Sequence, residues 1–127
     1  MSSFADILKK KDDYFMYRNR AELVREALKN KFSKEDGSCN NNSLTELACA
    51  IYFDFSKNTS KTAALLVQKC REVNHKAIFG IVGAKIVPRV LASYGYIEDA
   101  YKILTQEEFP GWGYSIKQGA TTLWEQW

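Results

Sequence analysis

Long apolar runs are missing from this 127-residue chain: no window approaches the roughly 18 consecutive apolar residues that a membrane-spanning helix requires. The start, MSSFADILKKKDDYF, also lacks the apolar core of a secretory signal. As it stands the chain is expected in the cytoplasm and off the membrane, while a longer parent would carry any export signal elsewhere. Cysteine is scarce and odd in number: Cys39, Cys49 and Cys70 show no CxxC spacing and have no matching histidines. A disulfide framework and a structural zinc are therefore not expected, nor is any other cofactor, and the thiols are read as reduced. An excess of positive charge is lacking too, with 18 basic against 15 acidic residues and a net charge of +3. The one basic run, Lys9-Lys10-Lys11, leads straight into Asp12 and Asp13, which suits a solvated helix face better than a nucleic-acid surface.

Strand periodicity is weak throughout, and what is present is helical. Phe4, Ile7, Leu8, Phe15, Leu23, Val24, Ala27, Leu28 and Phe32 recur mostly at steps of three and four, predicting one or two amphipathic helices. Residues 33–42, SKEDGSCNNN, form a turn-rich break. Ser43-Leu44-Thr45-Glu46 has the spacing of a reciprocal capping box and should open a helix running to about Phe55. Another follows over Ala63, Leu66, Val67, Cys70 and Val73, ending near Asn74, and the short link between the two implies antiparallel neighbours. Residues 77–90 begin in a strand-like manner, then fit a helix from Lys85 with Pro88 in its opening turns. Gly95 reads as a helix stop, Ile97 to Leu104 as a further helix, and residues 105–118 as a long loop of the kind that carries function. The predicted class is all-α, built from successive helical hairpins.

The last eighteen residues, PGWGYSIKQGATTLWEQW, concentrate all three tryptophans with glycines and a single carboxylate, Glu125. Indole faces stack on the apolar faces of sugar rings, glycine lets backbone approach closely, and a carboxylate moves protons. A carbohydrate-processing groove is the chemistry this pattern favours.

The same residues resemble a signature of the bacterial α-L-rhamnosidases, glycoside hydrolase family 78. The family carries a Tyr-Pro-x-Trp-Gly-Tyr run followed by Gly-Ala-Thr-Thr-Ile/Leu-Trp-Glu-x-Trp. This chain has Phe109-Pro110-Gly111-Trp112-Gly113-Tyr114, then Gly119-Ala120-Thr121-Thr122-Leu123-Trp124-Glu125-Gln126-Trp127. His75, Gly80, Gly83 and the run from Val90 to Lys102 are similar to the helix pair that precedes the signature. The likeness covers residues 41–127, and residues 1–40 are compatible with it.

This resemblance implies an (α/α)6 toroid of six hairpins around a sugar cavity, with residues 1–127 forming one partial domain from its carboxy-proximal side. It implies inverting hydrolysis of terminal α-L-rhamnosides, in which two carboxyl groups flank the scissile bond with a water between them. Glu125 is then the candidate general base, although Thr122-Leu123-Trp124-Glu125 also has capping-box spacing that would turn it to the backbone. Trp112, Tyr114 and Trp124 are candidate sugar contacts, with core packing as their alternative. Trp127 stands beside them as the final residue. His75 is either a substrate contact or a donor at the helix end near Asn74, and Ala77 and Ile78 stand where the family has two threonines. Lys85 and Arg89 fit an inner face or a solvated one.

The family's general acid belongs to an acid-rich motif upstream of the matched residues. Asp12 and Asp13 lack the proline, arginine and tryptophan neighbours of that motif. The chain alone is therefore expected to be nearly inert, and the alternative reading is a non-catalytic helical module that binds carbohydrate or protein. Part of a toroid would leave inner faces uncovered, so a homo-oligomer is also expected.

Overall fold

The computed structural model describes residues 1–124. Seven helices follow in chain order: α1 (Ser2–Ile7), α2 (Lys11–Phe32), α3 (Leu44–Tyr52), α4 (Thr59–Glu72), α5 (Ile81–Ser93), α6 (Ile97–Leu104) and α7 (Trp112–Lys117). Among the described residues no strand forms, and Ser33 and Cys39 make one isolated bridge pair.

The packed body is α3 to α6. Helix α3 lies against both α4 and α5, and α5 lies against α6, so two hairpins sit side by side. Their shared core centres on Leu47, Leu66, Leu91 and Ile103, all fully buried, and each such side chain contributes about 1.5–3 kcal/mol through the surface it removes from water. Thr45 stands close to Gly83 near the starts of α3 and α5, and Arg89 lies over the Tyr52 ring further along both helices. The two helices therefore run in the same direction. By contrast, α1 packs on α2, and none of the 22 residues of α2 is fully buried. Phe4, Ile7, Leu8, Phe15, Met16, Leu23 and Val24 on this pair are exposed.

Ser43 caps α3 by accepting from the Glu46 amide at 3.2 Å, but the box is only half closed. The Glu46 carboxylate takes the Asn41 amide at 2.9 Å, because the chain enters α3 through a turn in which Asn42 occupies the left-handed region. Asn58 caps α4 in the same way, accepting from the Lys61 amide.

Helix α5 starts at Ile81, four residues before the position expected from the sequence, and no strand precedes it. Pro88 consequently sits in the helix interior, where its missing N–H leaves the Ala84 carbonyl without its usual helical donor. The buried stripe Gly83, Ile86, Val87, Val90 and Leu91 is what holds this segment helical against its proline.

Gly95 does stop α5: at φ +86° its amide donates to the Ala92 carbonyl while the Tyr96 amide returns to Leu91. Helix α4 ends by the same device with Asn74 in the glycine position, and there His75 is left-handed as well, at φ 57°. The segment expected as a continuous loop over 105–118 contains α7. That helix has six residues, too few to show an apolar stripe, and Gly113 within it disguises the pattern.

Candidate functional site

Three segments meet beside the carboxyl ends of α4 and α6: the connection 73–80, the connection 105–111, and α7 with the residues after it. Their junction is made mostly of polar bonds. The Gln106 side-chain amide donates to the Asn74 carbonyl at 2.8 Å, the Ala77 amide donates to the Pro110 carbonyl at 2.9 Å, and Lys76 pairs with Glu108 at 3.2 Å. The Tyr114 amide donates to the Gln106 carbonyl, and a Cβ placed on Gly113 would stand 2.6 Å from that same oxygen. Only glycine allows α7 to begin this close to the preceding turn.

Trp112 opens α7, half-buried, with its ring 6.2 Å from that of Phe79 at the end of the first connection. It packs partly against the hydrophobic core, so one part of the indole is structural while the remainder is accessible. Tyr114 is half-buried and meets the exposed Phe109 edge to face at 5.5 Å. Trp124 is 44% exposed, and Thr121 and Thr122 are exposed beside it. Glu125 and Trp127, the candidate base and the final aromatic residue, lie outside the described residues. Lys85 and Arg89 are both exposed on α5.

His75 is drawn to a partner that sequence reasoning missed. Its Nε2 lies 2.8 Å from Asp99 Oδ1, and Arg71 grips the same carboxylate with two bonds, Nε to Oδ1 at 2.9 Å and an Nη to Oδ2 at 2.8 Å. The Asp99 side chain is 6% exposed and that of His75 12%, whereas Arg71 reaches in from solvent. The Arg71 guanidinium, aided by His75, holds the Asp99 carboxyl well below the usual carboxylate range despite the burial that opposes it. An ionised carboxylate only accepts, so His75 must carry a proton on Nε2. One signal in the sequence did point here. Asp99 falls on the buried stripe of α6 with Ala100 and Ile103, and an acid on an apolar stripe requires a cation or donors.

An open hollow of about 420 Å³ lies next to this cluster, walled by Asn74, His75, Lys102, Thr105, Gln106, Glu107 and Glu108. Its wall is polar and largely committed, since Glu108 pairs with Lys76, Glu107 with Lys117, and Gln106 with Asn74. Among the described residues no group of three His, Cys, Asp or Glu side chains is arranged to hold a metal ion. No helix there is long and apolar enough to cross a membrane.

All of residues 1–127 match a family model, the bacterial alpha-L-rhamnosidase 6 hairpin glycosidase domain. This chain belongs to that family. An alpha-L-rhamnosidase of Formosa agariphila is 34% identical over an alignment 127 positions long, which covers 97% of this chain and 14% of that protein. The structure of an alpha-L-rhamnosidase from Dictyoglumus thermophilum matches 99% of this chain and 15% of its own at a TM-score of 0.88 and 34% identity. The Streptomyces avermitilis enzyme complexed with L-rhamnose matches 99% of this chain and 12% of its own, at a TM-score of 0.88 and 26% identity. The chain thus spans between 11% and 14% of the length of the curated relatives it matches. Its hairpins are part of a six-hairpin glycosidase fold, as the resemblance carried by residues 41–127 implied.

Proposed function

We propose that this chain is a carboxy-proximal part of the catalytic domain of an α-L-rhamnosidase that cleaves terminal α-L-rhamnosides with inversion, and that it supplies one wall of the sugar cavity together with the general base. The observation that carries this reading is the match of nearly the whole chain to rhamnosidase structures, one of them complexed with L-rhamnose. Trp112, Tyr114 and Trp124 offer aromatic faces of the kind that stack on a deoxysugar ring, and Glu125 follows Trp124 directly. In the proposed role its carboxylate takes a proton from a water, which attacks the anomeric carbon on the face opposite the departing oxygen. A second carboxyl group, about 6.5–9.5 Å away, protonates that oxygen. His75 lies near the same loops, and its contribution to the sugar pocket is through their arrangement.

Residues 1–42 hold no equivalent of the acid-rich motif that carries the family's general acid. General acid and base assistance each contribute about 10²–10⁴-fold, so the isolated chain should turn over glycosides negligibly. Purified chain incubated with a nitrophenyl α-L-rhamnoside tests this, with calorimetric titration of L-rhamnose alongside. Sugar binding without nitrophenol release is the expected result. Nitrophenol release that disappears in Glu125→Gln would show that the chain is a complete catalyst. The apolar residues exposed on α1 and α2 support self-association of the isolated chain. Light scattering should find dimers or larger species, and a clean monomer at high concentration contradicts that part of the reading.

A further inference from the structure

The cluster of Arg71, His75 and Asp99 ties the last turn of α4 and the connection that follows it to the first turn of α6, which lies 28 residues beyond Arg71 and 24 beyond His75. It sits where the backbone is least comfortable. Asn74 and His75 are successive non-glycine residues at φ 52° and 57°, a conformation that costs about 1 kcal/mol or more per residue unless the surroundings hold it. Each later part of the junction is hung from this bend. Asn74 offers its carbonyl to Gln106, Ala77 reaches Pro110, and Phe79 meets the ring of Trp112.

We propose that Asp99 is a positioning residue for the aromatic loop: held by Arg71, it fixes His75 and the left-handed bend, and so sets where Trp112 stands. The inference deepens the rhamnosidase reading by naming what aligns the stacking residue, and it rests on that reading for its relevance to sugar. The geometry is tight, since the buried carboxylate is anchored to α4 by two bonds from Arg71 and its bond with His75 is lost if the bend relaxes. Arg71 acts from the solvent side as the charge that makes a buried acid tolerable.

The test needs no sugar, so its outcome is independent of whether the chain binds rhamnose. Amide hydrogen exchange and the imidazole ¹⁵N spectrum are recorded for the whole chain, for Asp99→Asn, and for Arg71→Met, which alters only an exposed residue and keeps its apolar stem. In the unaltered protein the ring should show a proton fixed on Nε2. Both variants should speed exchange at the Ala77 amide about tenfold, equivalent to about 1.4 kcal/mol, while the core amides of α3 and α4 keep their protection. In Asp99→Asn the fixed tautomer should also give way to a mixture. Uniform loss of protection across the chain in Arg71→Met, or unchanged Ala77 exchange in both variants, overturns the proposal. If Asp99→Asn does not fold, Arg71→Met alone decides it.

Discussion

Gly83→Ala sets two effects of opposite sign against each other. Gly83 lies inside α5, where replacing glycine by alanine ordinarily stabilises a helix by about 0.5–1 kcal/mol. Here the new methyl would stand 2.6 Å from Phe79 Cβ, 2.6 Å from Thr45 Oγ1 and 2.9 Å from Phe79 Cγ. Ordinary carbon contacts begin near 3.5 Å, so the overlap approaches an ångström. Thr45 can rotate its hydroxyl away. Phe79 cannot yield so cheaply, because its Cβ is tied to backbone and its ring contacts Trp112. Overpacking costs about 1–3 kcal/mol, and an overlap this large against a carbon tied to backbone belongs to the upper part, about 2–3 kcal/mol, so subtracting a helix gain of about 1 kcal/mol leaves a net loss of about 1–2 kcal/mol. With a urea m-value of about 2 kcal/mol/M, the unfolding midpoint should fall by about 0.5–1 M. Gly80→Ala is the control, since a Cβ there meets nothing within 4 Å, and its midpoint should move far less. A Gly83→Ala protein as stable as the unaltered one, or more stable, would refute the close packing of α5 on α3 and with it the placement of Phe79.

Two further outcomes follow from the charged and thiol groups. The folded pKa of Asp99 is depressed by Arg71 and His75, so its contribution is fully present above the unfolded value of about 3.9 and is lost as pH falls through the lower folded value. Comparing the unaltered protein with Asp99→Asn by urea unfolding should show their stability gap narrowing by about 1 kcal/mol between pH 6 and pH 3, and a constant gap would contradict the ionised clasp. Burial, reinforced by the charge of Asp99, pushes the Cys70 thiol up to about 12, and burial with Glu46 nearby pushes Cys39 up to about 11. Iodoacetamide on the folded protein should therefore modify the half-buried Cys49 first, and Cys70 labelling at the same rate would mean that the core opens.

Much of this architecture was legible in the sequence because the body helices advertise their buried faces. The stripes through Leu47 and Ile51, through Leu66, Val67 and Cys70, and through Ala100 and Ile103 recur at helical spacing and meet in one core. Ser43 and Gly95 announced a start and a stop through side-chain and backbone chemistry that is purely local. Helix α5 was harder, since AIFGIVGA is apolar on every side and gives no period to read. Helix α7 is held by one close approach to Gln106, which is a tertiary fact. The aromatic tail announced its chemistry by composition, yet the group that braces it did not. Asp99 stands on an apolar stripe and so calls for a partner, but Arg71, 28 residues away, looks like one more charge on a solvated helix until the fold brings the two together.

In the proposed function Glu125 serves as the base of a rhamnoside-cleaving site. Replacing the matching segment of the Formosa agariphila relative with this chain, and measuring hydrolysis of an aryl α-L-rhamnoside, tests it most directly. The grafted enzyme should be active, and Glu125→Gln within it should lower kcat by about 100-fold or more while leaving KM little changed. An active graft whose kcat survives Glu125→Gln would contradict the account.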